Sequence, residues 1–181
     1  MKKFIYNEMM VHIPLCTSKD PKNVLIISEN GSELEQEIQK HTDIASKTTS
    51  CNLDALRDES DSIYDVVICE MDGDAAVVAH ISRISKDDAQ LVIKHDSLDN
   101  TQTNKVLMQV LSNYYKVIMP YNLGDGSTAL LASKEYHPTA DIILQRADMI
   151  DNLDYYNCDI HIAAFAMPNY IRKEYLGIIK N

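Results

Sequence analysis

Apolar positions fall in short runs separated by polar punctuation, and the runs alternate between two spacings. Residues 24–27 (Val24, Leu25, Ile26, Ile27) are continuously apolar between Pro21 and Gly31, which predicts a strand buried on both faces. Residues 32–41 follow, with Leu34 and Ile38 four apart and Glu33, Glu35 and Glu37 around them: a helix whose first turn carries negative charge. Residues 65–70, containing Val66, Val67, Ile68 and Cys69, predict a second buried strand, residues 75–84 a helix and residues 90–94 a third strand. Residues 100–114 set Val106, Leu107, Val110 and Leu111 on one helical face. Residues 115–119 and 127–133 predict two strands joined by the turn 120–126, which Pro120, Gly124 and Gly126 punctuate, and residues 140–150 predict a further helix. Alternating strands and helices predict an α/β fold: a mainly parallel sheet covered on both faces, with the closing hairpin as its antiparallel edge.

One stretch departs from this rhythm. Residues 42–63 are rich in Ser, Thr, Asp and Asn and too short for a full strand-helix-strand crossover, so a weak strand at 44–48 followed by an irregular link is expected. At 181 residues and 45% hydrophobic, the chain reads as a single domain over 1–181. No apolar run reaches the length of a membrane span and the amino terminus lacks a secretion-signal core, which predicts a cytoplasmic location and no membrane partner. The formal charge of −10 argues against nucleic acid and is permissive for a polycationic amine. Cys16, Cys51, Cys69 and Cys158 lack metal-ligand spacing, so buried or idle thiols are expected and no metal site. His12 and His161, isolated in apolar stretches, read as hydrogen-bonded core residues.

Two segments carry a more specific signal. The stretch from Tyr155 and Tyr156 through Asn157, Cys158 and His161 to Met167 and Pro168 resembles the C-terminal signature of the spermidine synthase (polyamine aminopropyltransferase) family. Phe4 to Leu15, followed by Pro21 to Ile27, looks like the segment leading into that family's first nucleotide-binding strand. The resemblance covers nearly the whole chain and implies a Rossmann-like fold of the S-adenosylmethionine-dependent methyltransferase type. It does not extend to the small N-terminal β-domain that members carry before the segment starting near Phe4, and lacking that domain would remove one wall of the site. The implied chemistry is aminopropyl transfer from decarboxylated S-adenosylmethionine, a co-substrate and not a covalently bound cofactor, to putrescine or a similar polyamine. A homodimer is expected by the same analogy, with apolar surface around Met9, Val11 and Ile13 as its interface.

The resemblance also implies site residues. The family's strand-end aspartate, the proton acceptor, corresponds to Glu70, although an acid there could equally cap the next helix or face solvent. A second family acid three residues on falls at Gly73, with Asp72 and Asp74 beside it; Asp72 is the substrate-binding candidate. Tyr6 matches a family tyrosine, Asn7 stands where relatives carry a longer histidine or glutamine, and Tyr121 and Asn122 fall in the loop bordering the amine pocket, near Leu131 in place of a tryptophan. The glycine run after the first strand is reduced to Ser28, Glu29, Asn30 and Gly31, leaving Glu29 and Gly31 as the cofactor-side candidates. The acids expected to hold ribose and adenine have only Asp43 and Asp54 as loose counterparts, and neither is assigned.

Each lost contact in a dry pocket costs about 1 to 3 kcal/mol, against roughly 8 kcal/mol for micromolar affinity, so weak or absent transfer is expected, as in a pseudoenzyme. The alternatives are a non-catalytic binding or assembly protein that keeps the fold and, least favoured, a methyltransferase on the same sheet.

Overall fold

A computed structural model describes residues 2–181. Its centre is a six-stranded sheet in the order β2-β1-β3-β4-β6-β5. Strands β1 (Asn23–Ile27), β2 (Ala45–Thr49), β3 (Tyr64–Cys69) and β4 (Ser85–Lys94) are parallel, while β6 (Thr128–Ser133) runs antiparallel to both β4 and β5 (Val117–Asn122). The fold is therefore the expected Rossmann-like α/β arrangement with an antiparallel edge.

Side-chain alternation along the strands divides the core in two. Leu25, Ile27, Val67, Cys69, Leu91 and Ile93 face one way and pack beneath α4 (Ala75–Ile84), α5 (Thr101–Leu111) and the chain's last helix, α8 (Asn169–Glu174). Val24, Ile26, Val66, Ile68 and Val92 face the other way, under α1 (Lys3–Thr17), α2 (Ser32–Ile38), α6 (Leu144–Asp148) and α7 (Cys158–Ala164).

Several expectations are corrected. Helix α1 is buried from residue 8 to residue 17, and Met9, Val11 and Ile13 are at most 1% exposed, so they form core and cannot be a dimer interface. The link after β2 contains a short helix, α3 (Leu53–Arg57), capped by the Asn52 side chain, which accepts from the Ala55 amide at 2.8 Å. The buried face of α5 is Asn104, Leu107, Met108 and Leu111, leaving Val106 half exposed. Asn104 earns its place there by donating to the Asp96 and Ser97 carbonyls (3.2 and 2.8 Å) while its carbonyl oxygen meets His95 Nδ1 at 2.9 Å. Strand β5 continues two residues past Pro120, so Tyr121 and Asn122 are strand residues, and the true turn is shorter.

The two ends of the chain meet. Glu8 of α1, 1% exposed, accepts from the amides of Asp154 and Tyr155 (both 2.9 Å) and Tyr156 (2.7 Å). Arg146 of α6 donates to the Leu15, Ser18 and Lys19 carbonyls, supplying partners to the C-terminal end of α1. These contacts tie the tyrosine segment to the helix that overlies the sheet.

Candidate functional site

The C-terminal ends of β1, β3 and β4 open into a cleft of about 650 Å³ lined by Tyr6, Asn7, Asn30, Glu33, Glu70, Lys94 and Asp125, among others. A cleft at that edge follows from the topology: parallel strands all end on one side, and the loops leaving them form its walls. Glu70 follows β3 directly, and its amide donates to the Ile27 carbonyl at 2.9 Å, fixing the strand end.

Both oxygens of Glu70 are held. The Tyr6 hydroxyl, projecting from the first turns of α1, donates to Oε1 at 2.6 Å, and the Ser28 hydroxyl at the end of β1 donates to Oε2. Burial, followed by the bond to Glu70 and that carboxylate's charge, pushes the Tyr6 hydroxyl far above the usual tyrosine range, so it stays a donor at all ordinary pH. A carboxylate has about four lone-pair directions, so two donors orient Glu70 and still leave room for an incoming N–H.

At the cleft mouth Glu33 accepts from Lys3 Nζ (3.1 Å) and Asn7 Nδ2 (3.3 Å), and the Lys3 bond is the main influence holding its carboxyl below the usual range. Asn7 thus reaches Glu33 and not Glu70.

Beyond β1, the loops after β1 and β2 are tied to each other. Glu29 accepts from the Cys51 amide at 2.7 Å, latching the loop after β1 to the loop after β2. Gly31 has an ordinary φ of −73°, and what requires glycine there is space: a Cβ would lie 2.9 Å from Thr48 Cγ2 and 3.1 Å from Ile26 Cγ2. Ser50, Cys51 and Asn52 follow β2, so the residues leaving that strand bring no carboxylate of their own. Asp43 precedes β2 at the opposite edge of the sheet, and Asp54 is turned to Arg57 at 2.8 Å.

Of the residues singled out from sequence, Glu70, Tyr6 and Asn7 come together in one cleft. Asp72 is exposed and lines a neighbouring recess of about 500 Å³ with Gly73, His95 and Asn104. Tyr121 is a correction: it is 0% exposed, its hydroxyl donates to the Met9 carbonyl at 3.3 Å and its ring lies 5.3 Å from Phe165, so it cannot touch a ligand in the cleft. Its strand parity turns it under α1. Asn30 belongs to the reduced glycine run read after the first strand, whereas sequence reasoning missed Lys94 and Asp125 as cleft residues. The place of Lys94 at the end of the third predicted strand, and of Asp125 between two glycines, were the available signals.

His161 and His12 are structural. His161 Nε2 donates to the Pro138 carbonyl at 2.9 Å, so its Nδ1 accepts from the Tyr156 hydroxyl at 2.7 Å, and burial lowers its pKa to about 4. His12, fully buried, bridges His41 (2.9 Å) and Glu37 (2.7 Å). Among the described residues no group of three or more His, Cys, Asp or Glu side chains could hold a metal, and no helix is long and apolar enough to cross a membrane.

The family described as the spermine/spermidine synthase domain matches residues 3–175. A polyamine aminopropyltransferase of Helicobacter acinonychis (strain Sheeba) is 24% identical, covering 95% of this chain and 78% of the relative. One from Clostridium beijerinckii is also 24% identical, covering 97% and 79%. The crystal structure of spermidine synthase from Thermotoga maritima superposes with a TM-score of 0.79 at 20% identity, over 95% of this chain and 74% of that one. A spermidine synthase in complex with the transition-state analogue AdoDATO gives 0.81 at 19% identity, over 95% and 75%.

Proposed function

The chain belongs to the spermine/spermidine synthase family, and from that premise we propose that its cleft binds putrescine or a similar polyamine at Glu70, with aminopropyl transfer from decarboxylated S-adenosylmethionine weak or absent. The observation that carries the amine reading is Glu70 at the end of β3, oriented by Tyr6 at 2.6 Å and by Ser28, in an acid-walled cleft. An alkyl ammonium, with a reference pKa near ~10.4, must lose a proton before its nitrogen can attack. Glu70 is placed to accept that proton. The freed lone pair then bonds to the methylene carbon beside the sulfonium. The carbon–sulfur bond breaks, its electrons return to sulfur, and the neutral thioether methylthioadenosine leaves. Tyr6, kept protonated, steadies the carboxylate throughout.

The nucleoside half has less support from this chain's residues. The Glu29 latch onto the Cys51 amide spans the space between the β1 and β2 loops, and the end of β2 offers hydroxyl, thiol and amide in place of an acid for ribose hydroxyls. Glu29 Oε1 is committed to the Cys51 amide, so a ligand there would meet only its Oε2.

Calorimetric titration of the full chain separates the two halves. Putrescine is expected to bind, methylthioadenosine to bind well above micromolar, and turnover with both substrates to be slow and lost in Glu70→Gln. Micromolar methylthioadenosine binding, or fast turnover, would overturn the weak-transfer reading; unchanged turnover in Glu70→Gln would remove Glu70 from the mechanism.

A further inference from the structure

The loop between β3 and α4 brings no second acid into the cleft, because Gly73 has no side chain and Asp72 faces the neighbouring recess. The β5–β6 hairpin does. Asp125 lines the cleft from a turn whose flanking residues, Gly124 and Gly126, have φ of +85° and +95°, a region favouring glycine. Tyr155 packs so closely over Gly124 that a Cβ there would collide with its hydroxyl, which fixes where the turn can lie. One oxygen of Asp125 is committed: Oδ1 accepts from the Ser127 amide at 2.9 Å and the Ser127 hydroxyl at 2.5 Å. Among the described residues Oδ2 accepts no hydrogen bond, and Asp125 forms no ion pair.

Glu33 is paired with Lys3, so Glu70, Asp125 and Lys94 are the remaining charged groups of the lining. Glu70 leaves β3 and Asp125 precedes β6, with β4 between them in the sheet. Two strand spacings amount to about 10 Å. A four-carbon diamine with a hydrogen bond at each end spans a similar length. Tyr6 lies where both acids are felt: after burial, the bond and charge of Glu70 and the nearby Tyr121, the charge of Asp125 also raises its pKa.

We propose that Asp125 holds the far ammonium of a diamine whose near amine lies at Glu70, so that the cleft selects diamines over monoamines. The inference rests on the amine reading of the cleft given above. Tyr155, part of the C-terminal segment that the sequence makes conspicuous, acts through Gly124 as the positioning residue for this turn.

Calorimetry on the full chain tests it with putrescine and with butylamine, which has the same carbon length and one amine. The wild type is expected to bind putrescine about tenfold more tightly, and Asp125→Asn to weaken putrescine by about that factor while leaving butylamine unchanged. Glu70→Gln is expected to weaken both amines. A putrescine-to-butylamine ratio unaltered in Asp125→Asn, with its melting temperature intact, overturns the role of Asp125 and leaves the amine cleft standing. Failure of the wild type to bind either amine overturns the cleft reading itself, and the Asp125 assignment with it.

Discussion

Glu70 and Lys94 stand one residue beyond the paired positions Cys69 and Ile93, at the ends of adjacent parallel strands. Lys94 forms no ion pair among the described residues, so its ammonium competes by repulsion with any cation entering beside Glu70. Removing that charge while keeping the alkyl stem, as in Lys94→Met, is expected to tighten putrescine binding by about fivefold, roughly 1 kcal/mol, at low salt. The gain should fade near physiological ionic strength, where the screening length is about 8 Å. Titrations at low and moderate salt check this, and weaker binding in Lys94→Met would show that repulsion from Lys94 does not limit the affinity. At this scale legibility followed chemistry tied to a strand end. Glu70 could be located because an acid directly after an apolar run must emerge at the sheet's edge. Tyr121 was misplaced because it was read in the loop after residue 119, whereas β5 runs on through Asn122 and strand alternation then sets the ring under α1. Asp125 went unnoticed because nothing local to a glycine-flanked turn says which wall it will complete.

Among the elements, α1 depends on contacts that no local pattern announces. Three backbone amides of the segment 154–156 donate to the single buried carboxylate of Glu8, each at 2.9 Å or less. Glu8→Gln would replace an acceptor oxygen with an N–H group facing N–H donors, and the expected loss is about 3 kcal/mol of stability. Urea denaturation reads the loss, and limited proteolysis should release the C-terminal segment first. Stability within about 0.5 kcal/mol of wild type would show the clasp to be replaceable by water. The strands and α4 were legible because apolar runs and spacing are read locally: residues 75–84 match α4 to the residue. Helix α1 was not, since Pro14 interrupts it and burial on all sides removes the polar face that periodicity requires. The short helix α3 is five residues long and takes its form from the Asn52 cap and packing, which leave little trace in hydropathy, whereas the helix expected over 140–150 is present in shortened form as α6.

The whole molecule carries its acid sensitivity in buried imidazoles. Burial lowers His41 to about 3 and His161 to about 4 from an ordinary value of 6.5, and burial also lowers His95. The unfolded chain therefore binds more protons than the folded one as pH falls below 6.5, so folding stability is complete above that value and declines toward pH 4. Glu37 and Glu59 shift in the same sense at lower pH: burial raises each carboxyl, but bonds from His12 and Lys40, and from Lys47 and Tyr64, outweigh it and leave each below 4.5, so their contribution is lost only at still lower pH. Between pH 7.5 and 5 the histidines should thus dominate, each of His41 and His161 removing about 2 kcal/mol. Net charge works the other way, because a chain at −10 repels itself less as it is acidified, and that term is spread over an exposed, screened surface. Urea midpoints at pH 7.5, 6 and 5 are expected to fall steadily in the wild type and less steeply in His161→Asn, which cannot titrate. A wild-type midpoint that holds or rises on acidification would mean that relief of surface repulsion outweighs the buried imidazoles. Equal slopes in the two proteins would place the titrating group elsewhere than the Tyr156–His161–Pro138 contact.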